Sequence, residues 1–332
     1  MKRHGEAGAA LLSVLILVGV MGAIAATMFD RLRLATLLGS NAGVQDQARA
    51  QAMIAETLAT ARIDDLLKAA PGKTTLRGDW NGRTTTLPLP GGPAQLRVDD
   101  GGNCFNLNSL VLANGPEMQV SRPVAVAQFI ALMRLRAVPE AAARRIAAAT
   151  ADWIDSDDRP NPDGAEDAAY RGRTPAYRTA NALLAEVSEL RAVDGVTPEI
   201  YARVRPMLCA LPLAELSPIN VNTLGPTQAP LVAMLLPETV GSVDARLRLA
   251  ARVLAERPEN GWDEPQEFWN TPALRDDVVA GDGVFEQVQV RTRWFALAMR
   301  INSGDTVLRE TALIDARRPP ARIVTRRWTE DE

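Results

Sequence analysis

The stretch of this sequence best equipped for chemistry is DWIDSDDRPNPDGAED, from Asp152 to Asp167. It holds seven carboxylates (Asp152, Asp155, Asp157, Asp158, Asp163, Glu166 and Asp167) against one cation, Arg159. Like charges at that density repel unless water or a cation neutralises them. One reading is a solvated acidic loop. The stronger one is a calcium loop, because a hard cation takes several oxygens and accepts a flexible frame. Asp155, Asp157 and Glu166 fall at the first, third and twelfth places of a twelve-residue calcium loop, but Pro160 stands where such a loop needs its central glycine. The loop thereby departs from the EF-hand pattern, and an irregular, structural calcium loop is expected. Magnesium catalysis would need a phosphate cradle or a nucleophile, and neither accompanies the acids.

Other chemistry is thinly represented. The single histidine, His4, precedes a long apolar run, which removes most triad, acid/base and zinc chemistry. No GxGxxG, GxSxG, HExxH or P-loop pattern occurs. Glu186 and Glu189 read as solvated acids on a helix face, and Trp262 and Trp269 as packing residues. Cys104 and Cys209 stand alone, in no CxxC arrangement. They are either buried thiols or, if the chain is exported, partners in a disulfide. The segment SPINVNTL is similar to the entry of a helix-hairpin-helix DNA-binding module, but LPETVGSVDA downstream has the wrong spacing, with only acidic neighbours until Arg246. With a formal net charge of -3, no nucleic-acid partner is expected. Asn220, Asn222 and Thr223 read instead as caps of turns and helix starts.

The elements that must position these residues begin with a membrane segment. Ala9 to Met28 is uncharged, and at about 1.5 Å per residue it can cross a hydrocarbon core of roughly 30 Å. Lys2 and Arg3 precede it and should keep the N-terminus cytoplasmic. An ordinary cleaved signal is the rival reading, since Ala23-Ile24-Ala25 offers an A-x-A site, but its apolar region would be shorter. From Phe29 to about Ala70 the pattern is helical: Leu34 and Leu38, Val44 and Ala48, Ile54, Leu58 and Ala61, then Ile63 and Leu67. Gly39 and Gly43 are candidate kinks.

Beyond the stem, RTTTLPL, AQLRVDD and CFNLNSL read as short strands and turns. Helical spacing resumes over 123–137, 139–153, 181–190, 198–207 and 242–256, with prolines near several starts. VFEQVQVR, RWFALAMRI, DTVLRETALIDA and ARIVTRRW then return to strand character. Strands, helices and strands again predict an α+β fold in which a helical domain is inserted into a sheet domain. FNLNSL at 105–110 and INVNTL at 219–224 are the nearest thing to a repeat.

The short basic leader ending in Gly8, followed by AALLSVLILV, resembles the signal of type IV pilins and pseudopilins, which a prepilin peptidase cuts after the glycine before methylating the new N-terminus. The resemblance implies cleavage between Gly8 and Ala9 and a retained transmembrane helix. Most members of that family carry glutamate at the fifth mature position, where this chain has Ser13; its lack fits a subunit that meets no earlier one. The leader, Ser13, FNLN at 105–108, the acidic stretch and INVNTL, in this order, resemble the general secretion pathway protein K family, the large minor pseudopilin of type II secretion, over nearly the whole chain. That resemblance implies a pilin-like fold: leader 1–8, transmembrane helix 9–28, pilin-like α/β part 29–108, inserted all-α domain 109–282 carrying the calcium loop, and C-terminal strands 283–332 completing an antiparallel sheet. It implies structural calcium, with Asp155, Asp157, Glu166 and Asp167, then Asp163, as favoured ligands. It further implies a non-enzymatic tip subunit, single-pass in the inner membrane with its bulk in the periplasm, partnered by minor pseudopilins I and J. Such a subunit starts the pseudopilus and helps export folded proteins across the outer membrane. The alternatives are a soluble periplasmic binding protein and a metal-dependent hydrolase using residues 152–167.

Overall fold

One helix, α1, runs from Gly5 to Ala69. No proline lies between Phe29 and Ala70, so its amides can bond the carbonyls four residues back without a break. Gly39 and Gly43 do not interrupt it; each costs about 1 kcal/mol relative to alanine, too little to break a cooperative helix. Pro71 comes just after its end. The computed structural model describes residues 5–90, 92–113, 118–275, 283–303 and 306–330. Residues 1–4 of the expected leader, with His4, and the 276–282 end of the expected insertion lie outside the described residues. Of the described helices, α1 is the one long and apolar enough to cross a membrane.

The stem packs through a stripe that the sequence pattern singles out only at Ala48, Ile63 and Leu67. Ala48, Ala52, Ala55, Ala59, Ile63 and Leu67 are buried, whereas Ile54 and Leu58 are exposed. Alanines let the helix axis approach the sheet closely, so the small residues face inward and the large ones outward. The strands that receive it are β1 (Thr84–Leu89), β2 (Gly92–Asp100), β9 (Trp294–Ser303), β10 (Thr306–Asp315) and β11 (Arg322–Glu330), all antiparallel in the order β1-β2-β9-β10-β11. Leu96, Phe295, Leu297, Met299, Ile301, Leu308 and Ile314 alternate inward along these strands, each worth about 1.5–3 kcal/mol when fully buried.

Between β2 and β9 the chain leaves the sheet. It forms β3 (Phe105–Asn106), β4 (Val111–Ala113), β5 (Gln119–Ser121), α2 (Pro123–Leu135), α3 (Glu140–Ile154), α4 (Asp167–Tyr170), α5 (Pro198–Val204), β6 (Leu208–Cys209), β7 (Ile219–Asn220), α6 (Ala229–Ala233), α7 (Val243–Ala255), α8 (Pro265–Trp269) and β8 (Val288–Gln289). These elements share a second core around Phe105, Phe129, Ile146, Trp153, Leu231 and Phe268. Three expectations are corrected. Residues 181–190 are mostly loop, with a short 3-10 turn over Val187–Ala192, and Glu186 pairs with Arg327 rather than facing water alone. VFEQVQVR is a 3-10 turn and a two-residue strand, because β8 pairs only with β7.

The two Asn motifs build matching joints. β3 pairs parallel with β6, and β7 pairs parallel with β8. Asn106 Oδ1 accepts from the Asn108 amide (3.2 Å), as Asn220 Oδ1 does from Asn222 (3.0 Å). Asn108 then pairs both ways with the Leu184 backbone (2.9 and 2.7 Å), and Asn222 likewise with Trp262 (2.9 and 2.8 Å). Gly261 sits at φ +69°, and a side chain there would come within 2.7 Å of Asn222. A buried acid ties the two cores together: Asp100 at the end of β2 accepts from Thr223 Oγ1 (2.6 Å), Thr292 Oγ1 (2.5 Å) and the Gly102 amide (3.0 Å). Cys104 and Cys209 are joined by a disulfide, their Cα atoms 5.7 Å apart.

Candidate metal centre

α3 ends where its alanine-rich, amphipathic pattern gives way to the acids. Its last turn buries Asp152, Trp153 and Ile154, and Asp155 is the C-cap. The chain then turns outward and comes back to the N-cap of α4, Glu166. This return brings the carboxylates of Asp155, Asp157 and Glu166 within 4.8 Å of one another. Asp155 and Glu166 are buried and Asp157 is exposed, so the group opens to solvent on one side.

The loop is held from beneath. Asp152, fully buried, accepts from the Asn161 amide (3.0 Å) and its Nδ2 (2.5 Å). Gly164 crosses directly over it: a side chain there would lie 2.0 Å from Asp152 Oδ2. On the far side, Ser156 exchanges hydrogen bonds with the Gln119 backbone (3.0 and 3.2 Å), tying the loop to β5. Thr179 Oγ1 reaches Glu166 Oε2 (3.3 Å) and Asp167 Oδ1 (3.0 Å).

The electrostatics favour a cation. Burial first, then the charges of Asp152, Asp157 and Glu166, push Asp155 up to about 7. Burial, then Asp152, does the same to Glu166, also to about 7. Burial raises Asp152 as well. Asp155 Oδ1 and Glu166 Oε1 are buried without a hydrogen-bond partner, and such oxygens cost about 1–3 kcal/mol each unless something meets them. Three carboxylates with two orphaned, converging oxygens fit a hard divalent cation.

The other two favoured ligands do not join the group. Asp167 turns away to Thr179, Arg171 (3.1 Å) and Arg178 (3.7 Å), and its role is to fasten the loop at 179. Asp163 adopts φ +66° at the outer turn. Acid spacing does not disclose the supporting roles of Asp152, Asn161, Gly164 and Thr179. A lone Asn before an Asp-Gly turn is the available signal.

A membrane-length helix continued as the stem of an antiparallel sheet, with a helical unit between two of its strands, defines a pilin-like subunit. Comparison narrows the class. Residues 103–213 and 219–284 match two models described as type II secretion system protein K. Type II secretion system protein K of Aeromonas hydrophila is 36% identical over 312 residues, 92% of this chain and 91% of the relative. That of Pectobacterium carotovorum is 31% identical over 98% of this chain and 97% of the relative. A chain of the GspK-GspI-GspJ complex from enterotoxigenic Escherichia coli superposes with a TM-score of 0.73 at 28% identity, covering 86% of this chain and 97% of that one. The chain belongs to the type II secretion system protein K family. It is a minor pseudopilin of that system, and neither the binding-protein nor the hydrolase reading is supported.

Proposed function

We propose that this subunit caps the tip of the pseudopilus, helps start its assembly with minor pseudopilins I and J, and acts structurally rather than catalytically. The observation that carries the reading is the likeness, over 86% of this chain, to a protein solved in a complex named for K, I and J. The bulk between β2 and β9 supports a terminal position, because so large a unit fits poorly in the body of a fibre. The Cys104–Cys209 disulfide supports export to an oxidising compartment, and Lys2 and Arg3 favour an N-terminus left in the cytoplasm. In this reading prepilin peptidase cuts between Gly8 and Ala9, the new N-terminus is methylated, and residues 9–28 anchor the chain in the inner membrane. Asp155, Asp157 and Glu166 hold a structural calcium ion that neutralises their mutual repulsion and fixes the turn between α3 and α4. The test is mass spectrometry of the mature chain, co-expressed with its cognate I and J subunits and purified from membranes. A chain beginning at methylated Ala9 that co-purifies with both supports the proposal. A chain beginning near Ala26 and purifying alone overturns it.

A further inference from the structure

Glu310 sits where a charge is least welcome. It lies at the middle of β10, on the face covered by the stem, and is 1% exposed. Among the described residues, none donates a hydrogen bond to either of its carboxylate oxygens. From α1, Glu56 meets it, itself 4% exposed. From β11, Arg326 reaches in, but its Nε and Nη2 are both committed to the two oxygens of Glu56, leaving Nε 3.7 Å from Glu310 Oε1. Met299 on β9 and Trp328 on β11, which stand directly opposite Glu310, are uncharged, and Arg49 of α1 lies over the Trp328 ring at 6.0 Å and is paired with Asp46 at 3.7 Å. Two ionised carboxylates beside one guanidinium would leave a net negative charge in this core, which is costly.

We propose that Glu310 is held as the neutral acid and donates its hydroxyl to the Glu56 carboxylate, so that a shared proton latches the stem helix to the sheet. Arg326 Nε lies against Glu56 Oε1 and 3.7 Å from Glu310 Oε1, which sets the two carboxyl groups side by side, and this assignment supplies a partner for Glu310 while keeping the site neutral. Burial, then the hydrogen bond and charge of Glu56, push Glu310 up to about 8. Burial acts on Glu56 too, but the hydrogen bonds from Arg326 and Glu310 outweigh it and hold Glu56 below the ordinary glutamate value. Because Glu310 is raised above its ordinary 4.5, its contribution is complete below that pH and is lost as pH climbs through about 8. The latch is closed in neutral medium and loosens in alkaline medium.

The test uses the full chain in detergent. The infrared difference spectrum between wild type and E310Q at neutral pH should show a protonated carboxylic-acid band that disappears on titration to alkaline pH. Wild type should melt several degrees lower in alkali, and E310Q, which can still donate to Glu56, should keep the neutral-pH melting temperature and lose that alkaline fall. E56Q should abolish the band, because Glu310 then ionises against the freed Arg326. Absence of an acid band in wild type, or its survival in E56Q, overturns the proposal. So does an E310Q protein that melts lower at neutral pH and still falls in alkali.

Discussion

Cys104 and Cys209 are bonded across 105 residues of chain, so the first Asn motif and the strand that pairs with it stay together even when the helices between them open. A cross-link closing a loop of this size is worth about 4–5 kcal/mol in the chain-entropy account. Urea unfolding of the C104A/C209A protein should show a loss of about 3–5 kcal/mol against the oxidised wild type. An unchanged midpoint would mean that the unfolded chain is not the state being constrained.

The carboxylate group makes a prediction with opposite signs in the presence and absence of calcium. Without a cation, Asp155 and Glu166 titrate at about 7, above their ordinary 3.8 and 4.5. Folded values above the unfolded ones mean stability that is complete in acid and lost as pH rises through 7. With calcium bound the carboxylates are ionised, and affinity grows with pH. The gap in melting temperature between calcium and chelator should therefore widen steadily from about pH 5 to about pH 8. A gap that stays constant would argue against a carboxylate site.

Gly164 offers a way to break that site without removing a ligand. A side chain at this position collides with Asp152 Oδ2, so G164A should displace the loop and weaken calcium binding, measured by titration calorimetry, by roughly 10-fold or more, the loss usual when outer-shell support of a metal site is removed. Wild-type affinity in G164A would show that Asp152 does not position the ligands.

Asn108 and Asn222 should be equally intolerant of change, because each pairs with both backbone groups of one distant residue. N108A and N222A each strand buried amides and carbonyls at about 1–3 kcal/mol apiece. Chemical denaturation should find both variants destabilised by at least about 2 kcal/mol. If only one is destabilised, the two joints are not equivalent.

Asp100 adds a pH effect in a different window. Burial, opposed by the Thr223 and Thr292 hydroxyls and by backbone amides, leaves it at about 6, above its ordinary 3.8. Its contribution is thus complete below 3.8 and lost as pH rises through 6. The difference in stability between wild type and D100N should shrink across that interval. A flat difference would place the proton elsewhere in the joint.

Much of this architecture is legible in the residues. The apolar run, the proline-free stem, the two strand groups and the helical stretch between them all come from periodicity and breaker positions, which are local properties. Asp155, Asp157 and Glu166, which the fold gathers, hold the first, third and twelfth places of a calcium-loop spacing, while the wider ligand set comes with the family resemblance. The faces are not. Ile54 and Leu58 carry the stronger hydrophobic signal, yet Ala48, Ala52, Ala55 and Ala59 are the residues buried, since close approach rewards small side chains and no local pattern reports how near a sheet will come. Asp167 departs from its expected role for a related reason: Thr179 and Arg171 decide its direction, and Thr179 lies on a loop with no periodicity. Glu310 leaves a trace, a lone acid at an inward position of an alternating strand, but its meaning depends on Glu56, far away in the chain.

Beyond the apolar run that ends at Met28, residues 29–40 of the stem are exposed throughout, a bare length of helix of about 18 Å ahead of the sheet. Phe29, Leu32, Leu34, Leu37 and Leu38 are exposed along it, more greasy surface than a lone rod in water tolerates. The solitary subunit is therefore an unfinished object, a head held aloft on a shaft that stays sticky until other shafts stand beside it.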